Sequence, residues 1–144
     1  MQDEIVPLPD SVWLAERFQD YANTKSKIQR LVQSGRIVRL KQGKYIAREY
    51  LQDPSIRPRV ANWLYGPSYV SFAWALRWYG LIPEDVPHVT SATFGKRRTK
   101  RFDTPIGSFF YRDVPQSAYP ASITIAGDKD RRFLVATPEK ALCD

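Results

Sequence analysis

The side chains best suited to chemistry in this chain are the cations between Thr24 and Arg48. Eight Lys and Arg fall in that window without a single Asp or Glu. Lys25, Lys27 and Arg30 alternate with Ser26, Gln29 and Gln33, then Arg36, Arg39, Lys41 and Lys44 follow. Lys, Arg and Gln are the side chains that reach guanine and adenine edges in a major groove. The same cations neutralise phosphates and release counterions. A second run, Lys96-Arg97-Arg98-Thr99-Lys100-Arg101, is almost purely basic. Two concentrated positive patches suit a polyanion better than a metabolite.

Other chemistries find little support. His88 is the one histidine and Cys143 the one cysteine, which excludes an internal disulfide framework, a zinc site of several thiolates and a histidine cluster. Glu84 and Asp85 are adjacent and point apart on a loop. Asp128 and Asp130 sit in Gly-Asp-Lys-Asp, a turn signature. Asp103 with Glu139 and Lys140 could be drawn as a nuclease metal site, but a first-turn helix acid explains Glu139 more simply. Cys143 has no activating neighbour and is expected to be a small buried hydrophobe. His88 reads as the start of a strand. There is no Walker loop, no Gly-x-Gly-x-x-Gly and no Gly-x-Ser-x-Gly. The expectation is a protein without catalysis, cofactor or metal.

The elements that must position the first basic patch are short. A helix is predicted over about Asp10–Tyr21, capped by Asp10 or Ser11, with Val12, Leu14, Ala15, Phe18 and Tyr21 at half-buried spacing. Asn23 or Thr24 caps a second helix that runs to about Ser34 and stops at Gly35. At 100° per residue, Ile28, Leu31 and Val32 fall on one side of it, and Ser26, Gln29, Arg30 and Gln33 on the other, with Lys25 and Lys27 on the flanks. Two β-rich runs around Gln42-Gly43 then read as a hairpin. Helix, turn, basic helix and basic hairpin is the order of a winged helix-turn-helix, whose second helix enters the major groove. On that reading Ser26, Lys27, Gln29 and Arg30 face base edges, and Lys25, Arg36, Arg39, Lys41 and Lys44 face phosphates.

The whole chain has 144 residues, 43% hydrophobic, 13% aromatic and 26% charged, with a net charge of +7. This is globular composition, and no apolar run is long enough for a membrane helix. The acidic, proline-bearing start MQDEIVPLPD is no signal peptide, so a cytoplasmic protein is expected. Two prolines in 48–60 mark a short tether, dividing a domain at 1–52 from one at 53–144. In the latter, helices are predicted over Arg59–Tyr65 and Ser68–Leu81. The second carries Tyr69, Phe72, Trp74, Trp78 and Tyr79 and reads as buried on most sides. Short β-like runs follow at His88–Thr93, Lys100–Asp103, Ile106–Arg112, Ser122–Ala126 and Phe133–Ala136, which suggests a small, largely antiparallel sheet. Thr137-Pro138-Glu139 is a strong helix start with few residues after it, the pattern of a chain that continues. The fold class is therefore α+β: an N-terminal winged helix-turn-helix, then a mixed helix and antiparallel-sheet domain, C-terminally truncated.

Three stretches resemble a known family. They are Ser26-Lys-Ile-Gln-Arg-Leu-Val-Gln-Ser-Gly35 leading into Arg39-Leu-Lys-Gln-Gly-Lys-Tyr-Ile46; Tyr65-Gly-Pro-Ser-Tyr-Val-Ser-Phe-Ala-Trp-Ala-Leu76 with Tyr79-Gly-Leu-Ile-Pro-Glu84; and Thr137-Pro-Glu-Lys-Ala-Leu-Cys-Asp144, with Thr104-Pro-Ile-Gly-Ser-Phe-Phe-Tyr111 between. Together they look like the AbiEi-type antitoxins of bacterial type IV toxin–antitoxin systems, which are also transcriptional regulators. The resemblance implies a winged helix that binds inverted repeats in its own promoter and represses the operon. It also implies a C-terminal domain that neutralises a nucleotidyltransferase-like toxin without a stable complex with it. Members of that family continue past the Glu-Lys-Ala-Leu motif.

The expected partner is thus double-stranded DNA, with two copies on an inverted repeat because one wing unit offers few contacts. The alternative is a protein-binding module that sequesters a toxin or effector directly. Lys96, Arg97, Arg98, Lys100 and Arg101 are either a solvated loop between strands or a second nucleic-acid surface. The aromatic cluster is expected to be core.

Overall fold

The structure, a computed structural model, describes residues 5–115, 117 and 121–144. Met1–Glu4 of the acidic N-terminus and the side chain of Asp130 lie outside the described residues. The protein is mixed α and β, with five α-helices and two sheets among the described residues, and divides into two compact units, Met1–Pro54 and Ser55–Asp144.

The first unit opens with α1 (Ser11–Arg17). The Asp10 carboxylate caps it by accepting from the Trp13 N–H at 2.8 Å. Then α2 (Thr24–Gln33) follows, where the Asn23 side chain accepts from the Ser26 N–H at 3.1 Å. Gly35, at φ +80°, turns the chain out of α2 into β1 (Ile37–Lys41), which pairs antiparallel with β2 (Lys44–Ala47). Leu14, Phe18, Leu31 and Ile37 form the core, with Ile5, Trp13, Ile28 and Tyr45 packed against it. Helix α1 is shorter than the spacing predicts, and Val12, Ala15 and Tyr21 are exposed. Val32 also turns outward, 37% exposed, while Leu31 and Ile28 are the α2 side chains that meet the core.

The second unit is a six-stranded sheet in the order β5-β6-β4-β3-β8-β7. Its strands are β3 (Tyr69–Val70), β4 (Val89–Thr93), β5 (Lys100–Thr104), β6 (Gly107–Asp113), β7 (Ile123–Ala126) and β8 (Phe133–Ala136). Three of the pairings are antiparallel, in line with the largely antiparallel sheet expected from the sequence, but the sheet is mixed: β3 with β8, and β4 with β6, are parallel. The long helix expected from Ser68 is corrected. Tyr69 and Val70 are the buried central strand, and α4 spans only Phe72–Trp78. A short aromatic and β-branched run reads equally as strand or buried helix, and only pairing decides.

Helix α3 (Arg57–Leu64) and α4 cover opposite faces of the sheet. The Tyr111 hydroxyl donates to the Ala61 carbonyl of α3 at 2.6 Å, whereas the Thr90 hydroxyl oxygen accepts from the Trp74 N–H of α4 at 3.1 Å. Tyr111 lies opposite Ser91, and Thr90 opposite Phe110, so the two contacts point to different sides of the pleat. Burial holds the Tyr111 hydroxyl far above its usual titration range. On the α3 side, the Asn62 amide also brackets Leu134, accepting its N–H and donating to its carbonyl.

Helix α5 (Pro138–Cys143) begins where Thr137 caps it and packs with α4. Lys140 and Ala141 take its inner face, which leaves Cys143 exposed, against the expectation of a buried thiol. Buried Lys140 meets the equally buried Asp144 at 3.4 Å. The Asp144 carboxylate also accepts from the Tyr69 hydroxyl at 2.9 Å and the Ser71 hydroxyl at 2.7 Å. The aromatic cluster is only partly core. Tyr69 is fully buried, but Trp78 is 46% exposed and lies edge-on to Phe133 and Tyr79. Helix α4 is therefore not buried on most sides.

Candidate nucleic-acid interface

The first basic patch is built on α2 and the β1–β2 hairpin. Helix α2 has no acid in its first turn, and its N-terminal N–H groups are met by neutral Asn23. The positive end of the helix dipole is therefore left uncompensated by charge. Leu31 fixes the inward direction. Lys25, Gln29 and Gln33 then point away from the core with exposed side chains, and Ser26 and Arg30 flank them.

The hairpin sets a second wall. Its turn is Gln42-Gly43, with Gly43 at φ +80°, and its register shifts between Arg39 and Lys41. Leu40 is the extra residue of that bulge and turns inward, while Arg39 stays exposed. The hairpin is anchored to the start of α1, where the Ser11 N–H donates to the Gly43 carbonyl at 2.8 Å. Between hairpin and helix lies a groove of about 480 Å³. Lys25, Gln29, Arg39 and Gln42 supply its polar lining, and Ile28, Val32 and Tyr45 the apolar part.

The placement of the sequence-derived residues is uneven. Lys25 shares the groove with Gln29 and Arg39 rather than standing on a flank. Lys27 leaves the outward face. Its ammonium lies 5.2 Å from the Phe18 ring centre and 4.8 Å from that of Tyr21, held against α1 by cation–π attraction. At two residues from Lys25 it sits about 200° around the helix, so both cannot face the same partner. Lys41 and Lys44 face each other across the hairpin and are half-buried, as is Arg36 just beyond Gly35. Gln42 belongs to the groove but was not among the sequence candidates. As a turn residue it gave no periodic signal, and only the fold of the hairpin over α2 brings it in.

The second basic run does not form one surface. The Lys96 ammonium turns back to the Gly66 carbonyl at 3.0 Å and lies over the Tyr65 ring. Arg97 adopts a left-handed backbone, φ 57°, and its N–H donates to the Asp113 carboxylate. Burial pushes the Asp113 carboxyl upward, but hydrogen bonds from Thr93 and from the Arg97 and Lys96 N–H groups outweigh it and hold the group below the usual range. Arg98 is exposed, and Lys100 and Arg101 lie on β5. Arg101 pairs with Asp103 at 2.8 Å. Asp103 also accepts from the Ser108 hydroxyl, and these two bonds lower its carboxyl below the ordinary range.

Asp103, Glu139 and Lys140 do not assemble into a metal site. Among the described residues no group of three or more His, Cys, Asp or Glu could hold a metal ion. His88 stacks on Phe110, with ring centres 4.9 Å apart and planes at 14°. Among the described residues no helix is long and apolar enough to cross a membrane. Comparison with known proteins gives neither a matching family model nor a matching curated protein.

Proposed function

We propose that Met1–Pro54 is a winged helix-turn-helix that binds double-stranded DNA, and that the protein is an AbiEi-like antitoxin repressing its own operon. The observation that carries this reading is the groove in which Lys25 and Gln29 of α2 and Arg39 and Gln42 of the hairpin converge. Helix α2 is the recognition helix. Gln29, with Ser26 and Arg30 beside it, reads base edges, and Gln33 extends that row. Lys25, Arg36, Arg39, Lys41 and Lys44 hold phosphates. Lys27 has a different role from the one its sequence position suggests: it ties α2 to α1 and so sets the angle of the recognition helix. Two copies bind an inverted repeat, and no catalytic step is involved. Ser55–Asp144 acts in neutralising a nucleotidyltransferase-like toxin, without a stable complex.

A duplex carrying the upstream region of its own gene tests this. Binding should be saturable, should weaken steeply with salt, and should fall with Gln29→Ala by about 1–3 kcal/mol on the specific site only. The alternative is a protein-binding groove using Ile28, Val32 and Tyr45. Retention of a protein partner at high salt, with no shift of the duplex at low salt, would favour that reading.

A further inference from the structure

The sheet of Ser55–Asp144 is covered unequally. On the face that carries Thr90, α4 packs over β4, whereas Arg101 of β5 and Phe110 and Arg112 of β6 are left half-buried or exposed. Register places Thr90, Phe110 and Arg101 side by side across three strands, with Arg112 two residues further along β6. The result is a groove of about 430 Å³ at the open half of the sheet, closed at one end by Phe72 of α4. Its size lies in the range of about 300–1,000 Å³ usual for small-ligand sites.

Two guanidinium groups are laid on aromatic rings there. The Arg112 guanidinium carbon is 4.2 Å from the centre of the Phe72 ring, and that of Arg101 is 5.0 Å from Phe110. Phe72 has a left-handed backbone, φ 59°, which a bulky side chain rarely adopts. Asp103 partly neutralises Arg101. Arg112 makes one long bond, 3.5 Å to the Asp144 carbonyl. Lys100 borders the groove through its strand, but its register partner is Tyr111 and its ammonium lies 5.6 Å from the Phe102 ring centre, on the other side of the pleat.

We infer that this groove binds a nucleotide, its base stacked on the outer face of the Arg112 guanidinium and its phosphate held by Arg101. A guanidinium backed by a ring is a flat, oriented plate. Bases stack on such plates, and the edge N–H groups remain free for phosphate oxygens. Mostly apolar walls with cations at the rim suit an aromatic heterocycle carrying a phosphate better than they suit inorganic phosphate alone. The same chemistry is offered by a free mononucleotide and by one link of a single strand. The inference stands on Ser55–Asp144 alone and does not depend on duplex binding by Met1–Pro54.

The test uses the full chain carrying Gln29→Ala and Lys25→Ala, so that the first basic patch contributes little. It is titrated calorimetrically with AMP, with UMP, with a six-nucleotide single strand, and with inorganic phosphate. Saturable binding of a mononucleotide below about 1 mM, at least tenfold tighter than phosphate, supports a free-nucleotide site. Saturable binding of the hexamer alone supports a single-strand site. In either case Arg112→Gln should weaken binding about tenfold or more, while the thermal midpoint stays within a few degrees. The inference is overturned if neither ligand binds in this range, if phosphate binds as well as the mononucleotide, or if Arg112→Gln leaves affinity unchanged. A second variant, Phe72→Leu, removes the backing ring but keeps the cation. It should lower affinity for nucleotide and leave that for phosphate unaltered.

Discussion

Lys25 and Lys27 stand two residues apart on α2 with the same side chain, and they should respond to alanine in opposite ways. Lys25 is exposed in the groove with Arg39 and Gln29. Lys27 places its ammonium over Phe18 and Tyr21. With Lys25, Arg36, Arg39, Lys41 and Lys44 on phosphates, the logarithmic salt slope of duplex binding is roughly −0.9 for each, or about −4.5 in all. Between 50 and 200 mM salt the wild-type chain then loses affinity by about 500-fold. Lys25→Ala removes one contact, so the slope falls to about −3.6 and the loss over the same interval to about 150-fold. Lys27→Ala leaves the slope within error of wild type. It should instead lower stability by about 0.5–1 kcal/mol through the lost cation–π contacts. Fluorescence anisotropy of a labelled upstream duplex at five salt concentrations measures the slopes, and urea unfolding measures the stability. If Lys27→Ala flattens the slope as much as Lys25→Ala does, the groove is not the phosphate-facing surface and the orientation assigned to α2 is wrong.

Other consequences follow from single contacts. Asn23→Ala removes the cap of α2 and should cost about 1 kcal/mol in urea unfolding, with weaker duplex binding as the first turn frays. Lys140→Ala strands the buried Asp144 carboxylate and should cost about 3–5 kcal/mol; the double variant Lys140→Met, Asp144→Asn should recover most of it. Asp113 has a folded pKa below its unfolded one, so its contribution to stability is present above the unfolded value near 4 and is lost as pH falls through the folded one. The thermal midpoint of Asp113→Asn should therefore lie below wild type at pH 7 and converge with it toward pH 2, and parallel curves would show that the carboxylate charge is not what holds the loop. Gly127→Ala would drive a methyl group into the Arg131 backbone from a left-handed position, φ +86°, and should lower the thermal midpoint by several degrees.

Local signals were legible in the chain and nonlocal ones were not. Caps are recognisable to within a residue, at Asp10 or Ser11, at Asn23 or Thr24 and at Thr137, because a cap acts on an N–H within three residues; Asp10, Asn23 and Thr137 take the role. Gly35 and Gly43 mark turns because only their own backbone has to bend. The acid-free cationic window is likewise a property of the sequence, and so is the outward row of Ser26, Gln29, Arg30 and Gln33, which follows from the helical period. Tertiary structure decided what those residues face. Lys27 is drawn to rings contributed by α1, Gln42 joins a groove through the hairpin, and Arg112 lies on Phe72, forty residues away in sequence. The same holds for the sheet. Parallel pairing of β4 with β6 and of β3 with β8 leaves no mark in alternation, because side-chain period is identical in both directions of pairing. Periodicity fixes which way a side chain leaves its own element; only the packing of distant elements supplies the neighbour it meets.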